Sequence, residues 1–268
     1  DTAAVATGTV VGLKTFNTSV DTPAYTSTAE VSFTTAGSVP IGGRIKVVLP
    51  ALSGLQEGWL IGASAEVNFS VPVDNKPLVP SAVVVGSDGR SVTFEIAGHA
   101  IEQSTAVVFT ISNVTTPTRQ VLAGSSTSIT TFDSSGNIID SAADVSTDAI
   151  TEGLLVGVKR VDPAVDTPAY TDEAVVSFTT AGSVPVGGSI RVVLPAVSST
   201  QAGWVISSAA GVVFGVPSSL TPLVGDADVN ATGRTMEFII STNAIEQDTV
   251  VVFTISNVTT PTRQVLAG

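Results

Sequence analysis

Residues 107–124 read VVFTISNVTTPTRQVLAG, and residues 251–268 read the same 18 letters. Inside that stretch Val107, Phe109 and Ile111 alternate with Thr110 and Ser112 before Pro117 ends the run, the period-two signature of a strand with one buried face. One segment therefore carries two facts: the chain is made of β-strands, and it is made twice.

Outward from this segment the copy covers almost the whole chain. VDTPAYT at 20–26 returns at 165–171 and SFTTAGSVP at 32–40 returns at 177–185, an offset of 145 residues. The offset drops to 144 after one deletion between Pro222 and Arg234, and Trp59 with Trp204, like Tyr25 with Tyr170, fall on matched positions. Residues 9–153 are thus a first repeat and residues 154–268 a second. Residues 1–8 match 146–153 and read as the tail of a preceding repeat or linker, while Gly268 matches Gly124, so the second repeat lacks the final hairpin of the first. This phasing leads to the expectation of a parent protein with more copies.

The same alternation marks other strands: Val31 and Phe33 against Ser32 and Thr34, Ile45, Val47 and Leu49 against Lys46, and Val92, Phe94 and Ile96 against Thr93 and Glu95. Pro50, Gly42-Gly43 and the stretch DSSGN at 133–137 punctuate them as turns do. No stretch shows a sustained apolar stripe of helical period. Seven or more short strands per copy of about 145 residues imply an all-β sandwich. Residues 51–90 are the least regular and diverge most between copies, so extra strands or a long crossover are expected there.

The succession FTTAGSVPIGGRIKVVLP, HAIEQSTAVVFTISNVTTPTRQVLAG and SITTFDSSGNIIDS resembles the tandem Ig-like β-sandwich repeats of large microbial cell-surface proteins. The resemblance implies an extracellular or cell-surface role in a stalk, surface layer, filament or adhesin, with further copies of the chain as partners.

Composition narrows the alternatives. Eleven Lys and Arg against 23 Asp and Glu give a net charge of −12, which lacks the basic patch that nucleic acid requires. Apolar runs are a handful of residues long, far short of the roughly 20 that insert in a membrane. Without cysteine there is no thiol catalysis, thiolate zinc site or disulfide framework. Only 13% of residues are charged and the mean hydropathy is +0.45, low in charge for a free monomer and suited to faces covered by neighbours.

No catalytic set emerges. The single histidine, His99, becomes Asn243 in the second copy, and the acids kept in both copies are few, Asp21 with Asp166 and Glu102 with Glu246. The chain is expected to be no enzyme and to need no cofactor. Asp144, Asp148 and Glu152 near the junction of the repeats are weak candidates for Ca²⁺, although their spacing matches no calcium loop and a solvated acidic linker is the default. Asn17, Asn68, Asn113, Asn230 and Asn257 stand in sequons, acceptors of N-glycans in a eukaryotic source and polar turn residues otherwise. The resemblance also raises a Lys-Asn isopeptide bond, for which Lys14, Asn113 and Glu102, or Lys159, Asn257 and Glu246, supply the residue types; the alternative is a solvated strand lysine. Such a bond needs amine, amide and protonated acid to meet in an apolar core.

Two functional classes follow. A structural repeat protein packs its domains and edge strands into an array. An adhesin binds glycan or a receptor through residues 51–90, or through Trp59, Trp204, Tyr25 and Tyr170 as a stacking platform, against their packing inside the repeat.

Overall fold

A computed structural model describes residues 6–51, 58–80, 83–196, 203–218 and 224–264. The chain divides into two compact units, Asp1–Glu152 and Gly153–Gly268. Strands are the only regular elements among the described residues. Unit one holds β1 (Gly8–Thr9), β2 (Val11–Thr18), β3 (Thr26–Thr34), β4 (Arg44–Val48), β5 (Leu60–Ile61), β6 (Val67–Val71), β7 (Val84–Val85), β8 (Ser91–Glu95), β9 (Ala106–Thr115), β10 (Gly124–Phe132) and β11 (Ile138–Thr147). Unit two holds β12 (Val156–Pro163), β13 (Thr171–Thr179), β14 (Ser189–Val193), β15 (Val205–Ile206), β16 (Val212–Val216), β17 (Val224–Val229), β18 (Thr235–Ile240) and β19 (Val250–Thr259).

In unit one, β9 pairs with β3, β5 and β6, and β3 pairs with β2, making one layer. The other layer runs β11-β10-β4-β8-β7. The alternating residues of the sequence all face inward: Val31, Phe33, Ile45, Val47, Leu49, Val92, Phe94, Ile96, Val107, Phe109 and Ile111 are buried. Burying each such side chain stabilises the fold by roughly 1.5–3 kcal/mol. Across the layers the Phe94 ring meets Phe109 at 5.1 Å and Phe69 at 6.0 Å, edge to face, so the sandwich closes on aromatic contacts.

Residues 51–90 do contribute the extra strands β5, β6 and β7, with 52–57 and 81–82 outside the described residues. Trp59, just before β5, is buried edge-on against Phe16 at 5.6 Å. Asn113 sits at a bulge of β9, where the register against β3 slips by one residue, and it takes the left-handed φ of 56° that asparagine tolerates. Asn257 repeats the bulge on β19 with φ 54°.

Unit two follows the same plan with one difference. Strands β12, β13, β19, β15 and β16 form one sheet, and β14, β18 and β17 form a separate one. The two sheets face through Phe238, which lies 5.3 Å from Phe253 and 6.1 Å from Phe214. In unit one the hairpin β10–β11 joins the layers; residues 153–268 contain no counterpart of it.

Candidate functional site

The hairpin and the place it occupies make up the site. Its turn is set by Asp133, whose carboxylate accepts the backbone N–H groups of Ser135 and Asn137 at 2.9 and 2.8 Å and the Asn137 side-chain amide at 2.8 Å. The Asn137 side-chain and backbone donors hold that carboxyl below its ordinary value. Beyond the turn, β10 runs antiparallel to β4 from Ser128 against Val48 to Phe132 against Arg44. On the other side β11 runs parallel to β2, pairing Ser146 with Thr15 and Thr147 with Phe16, and Gly8 and Thr9 of β1 pair with Asp140 and Ser141. Gly8, assigned to the preceding tail in the sequence, therefore belongs to the sheet of unit one.

Three contacts lock the hairpin in place. Asp140 is fully buried and its carboxylate accepts the N–H groups of Ala36 and Gly37 at 3.0–3.1 Å, while its own N–H donates to the Thr131 hydroxyl. The Ser146 hydroxyl donates to the Lys14 carbonyl at 2.8 Å. The Lys14 ammonium donates to Asp144 at 2.9 Å, and that bond holds the Asp144 carboxyl below its ordinary range. Ile129 and Val145 add two fully buried apolar side chains.

In unit two, β12 pairs only with β13 and β14 only with β18 among the described residues. Among the described residues of 153–268, which hold no equivalent of the hairpin, each of these two strands has one side without a neighbour. The cost is visible in exposure. Val161 is 37% exposed where its counterpart Phe16 is 0%, and Leu155 is 44% exposed where Val10 is 1%. Val193 is exposed where Val48 is half-buried, whereas Val156 and Val158 are as exposed as their counterparts Val11 and Leu13. Trp204 is only partly buried, since Val161 replaces the Phe16 ring that covers Trp59.

The other candidates disperse. Lys14 is spent on Asp144, the Asn113 amide donates to the Ser64 hydroxyl at 3.0 Å, and Glu102 is exposed, away from any apolar core. In unit two Lys159 donates to the Leu155 carbonyl at 3.0 Å, Asn257 to the Ala209 carbonyl at 3.4 Å, and Glu246 is exposed. Neither isopeptide triad is brought together. The calcium candidates separate too: Asp144 serves Lys14, Asp148 and Glu152 are exposed, and no group of three or more acids or His gathers among the described residues.

Among the sequons, Asn68, Asn230 and Asn257 are exposed, while Asn17 and Asn113 are half-buried. The Asn113 side-chain nitrogen lies where a Cβ on Gly62 would stand, whereas the position matched to Gly62 is Ser207 and Asn257 is exposed. Asn230 uses its carbonyl to accept Arg234 and Thr235 N–H at 3.2 Å, capping the turn into β18. The corresponding turn of unit one is capped by Asp88, whose carboxyl is lowered by the Arg90 N–H and guanidinium.

The stacking platform is not formed in unit one, where Trp59 is buried; Tyr170 is exposed in unit two. In the variable region a shallow groove of about 340 Å³ is lined by Asn68, Lys76, Leu78 and Val79 among others, and its one aromatic, Phe69, is buried in the core. Asp140 is the residue of the hairpin that spacing obscured. Only its position opposite the TTAG turn, where it accepts the Ala36 and Gly37 amides, reveals a cap.

No protein-family model matches the chain, and no curated protein matches it. Among solved structures it is similar to the C-terminal domain of the Streptococcus pyogenes antigen I/II-family protein AspA, at 11% identity and a TM-score of 0.30, over 98% of this chain and 91% of that one. It is also similar to the type II cohesin dyad from the adaptor ScaA scaffoldin of Acetivibrio cellulolyticus, at 12% identity and a TM-score of 0.24, over 92% of this chain and 85% of that one. Likenesses of this degree leave function to be argued from the chain's own edges and surfaces.

Proposed function

We propose that this is an extracellular structural repeat protein, whose β-sandwich units assemble a stalk, surface layer or filament through packing of domains and edge strands. The observation that carries the reading is the tandem repetition of one β-sandwich plan, its aromatic core and bulge asparagines included, in a chain of which only 13% of residues are charged. An edge strand such as β7, which ends its sheet with Val84 exposed, accepts another strand, and proteins that stay single cover or charge it. The low charge of the chain agrees with faces that meet neighbours rather than water.

Electron microscopy of the purified chain at rising concentration tests the proposal. Regular fibres or sheets with an axial spacing of one or two units are expected. Dispersed particles at every concentration would contradict it and favour the adhesin reading, with glycan-binding assays on the groove beside Lys76 as the next step.

A further inference from the structure

We propose that the outer face of the β13-β19-β16 sheet of unit two packs against the same face of a second copy of the chain. The inference rests on the array reading above and names one contact of that array.

The face is set by register. With Val176, Phe178, Phe253 and Phe214 turned into the core, the alternating residues Val175, Ser177, Thr254, Val252 and Val213 point outward. Val213 and Val175 flank Thr254 in one row, and Val216 and Ser177 flank Val252 in the next. Val213 is 70% exposed, Val250 55% and Val175 38%.

Unit one supplies the comparison. Its row reads Asn68, Thr110 and Glu30 where unit two has Val213, Thr254 and Val175, and Ala106 stands at the place of Val250. Asn68, Glu30 and Ala106 are exposed as well, in a unit that contains β10–β11, so exposure at these positions belongs to the sheet plan and does not depend on the hairpin. What differs is chemistry: an amide, an acid and a methyl group all become isopropyl groups on one face. Apolar side chains gathered on an outer face mark a contact surface.

A glycine points the same way. Gly215 of β16 matches Ser70 of β6, takes no left-handed φ, and a Cβ built on it would meet only the Val252 carbonyl at 3.8 Å. Its own sheet does not require glycine there. Glycine inside a strand costs stability and is kept where another surface approaches closely.

Charge selects the occupant. The outward residues named above carry no ionisable group, and Arg160 and Asp162 at the β12 rim pair with each other at 2.7 Å. A charged partner would lose water against valine without gaining a counter-ion. The other outer sheet faces of the chain are charged: Glu30 in the first layer of unit one, Arg44, Lys46 and Glu95 in its second, and Arg191, Glu237 and Asp228 in the second sheet of unit two. The match for an uncharged valine face is therefore the same face of another copy, related by a two-fold axis. Two such sheets pack at about 10 Å.

Sedimentation velocity of the full chain over a concentration series tests the contact. A reversible dimer is expected, and its dissociation constant should rise at least about tenfold on Val213→Asn and further on Val175→Glu. Both substitutions place in unit two the residue that unit one already carries, and Trp204 fluorescence should stay native. Should Val175→Glu unfold unit two, Val213→Asn, which adds no charge, carries the test. The reciprocal pair Asn68→Val with Glu30→Val gives unit one the same face and should drive association past the dimer. A monomer at every concentration, or a dimer indifferent to Val213→Asn and Val175→Glu, overturns the proposal. Fibres that persist unchanged in both variants would remove this contact and leave the array standing, whereas a dimer sensitive to both variants that builds no fibres would keep the contact and remove the array.

Discussion

Units one and two share a strand plan, a pair of bulge asparagines and an aromatic core, yet they end differently. In unit one the layers are joined by β10–β11, and Phe16, Val10 and Trp59 are buried. In unit two the sheets remain separate, and Val161, Leu155 and Trp204 are less covered. The difference shows how labour is divided within one repeat. The inner faces of β3, β9, β4 and β8 build a core that both units retain, while the hairpin seals the edges and anchors one turn through Asp140.

Each unit has one tryptophan, so chains with Trp204→Phe or Trp59→Phe report unfolding of unit one or unit two separately. The largest effect is expected at the strand pair that differs most. Phe16→Ala should cost unit one about 3–5 kcal/mol by loss of a buried ring and its contact with Trp59. The matched Val161→Ala should cost unit two less than about 1 kcal/mol, since the side chain is partly in water. Equal costs in denaturant titrations would break the comparison.

Asp140→Ala comes next. It leaves the Ala36 and Gly37 amides without their acceptor in a buried site, at a cost of about 1–3 kcal/mol to unit one alone. A shift of the Trp204 transition by the same amount would contradict the assignment. Thr127→Val tests the hairpin in the opposite direction. The Thr127 hydroxyl is buried without a hydrogen-bond partner, so removing it at nearly constant volume should stabilise unit one by about 0.5–1 kcal/mol, read from the denaturation midpoint.

The smallest effect concerns acid. Lys14 lowers the folded-state value of Asp144 beneath 3.8, so the pair's contribution is present above the ordinary carboxylate range and is lost as pH falls through the lowered value. Asp144 is largely exposed, so salt should screen the pair and keep its contribution small. Asp144→Asn should flatten the decline in unit-one stability between pH 4 and the acid limit and leave unit two unchanged. An unaltered slope, measured by urea unfolding at low salt, would show that the pair contributes nothing.

Much of the fold was legible because alternation is a one-dimensional trace of burial. Val31, Phe33, Ile45, Val47, Val92, Phe94, Phe109 and Ile111 announce their faces by spacing alone, and DSSGN at 133–137 announces its turn. The short strands β5 and β7 were harder, since two residues carry no period, and the bulge at Asn113 breaks the alternation it interrupts. The site was legible only in part. The missing hairpin of the second repeat can be read by alignment, but the role of Asp140 cannot, because a buried acid capping a distant turn looks like any acid in a list. The resemblance raised crosslinking and residue type raised calcium, and the packing of unit one gave Lys14, Asn113 and Asp144 other partners.

Amide hydrogen exchange on the chain alone, compared strand by strand between matched positions, tests the central claim most directly. The account predicts strong protection along β2 and β4, where the hairpin pairs, and rapid exchange along the unpaired sides of β12 and β14, with β3, β9, β13 and β19 protected alike. Equal protection of β12 with β2 and of β14 with β4 would mean that β10–β11 does not seal the edges it pairs with in unit one, and the account of the hairpin would be wrong.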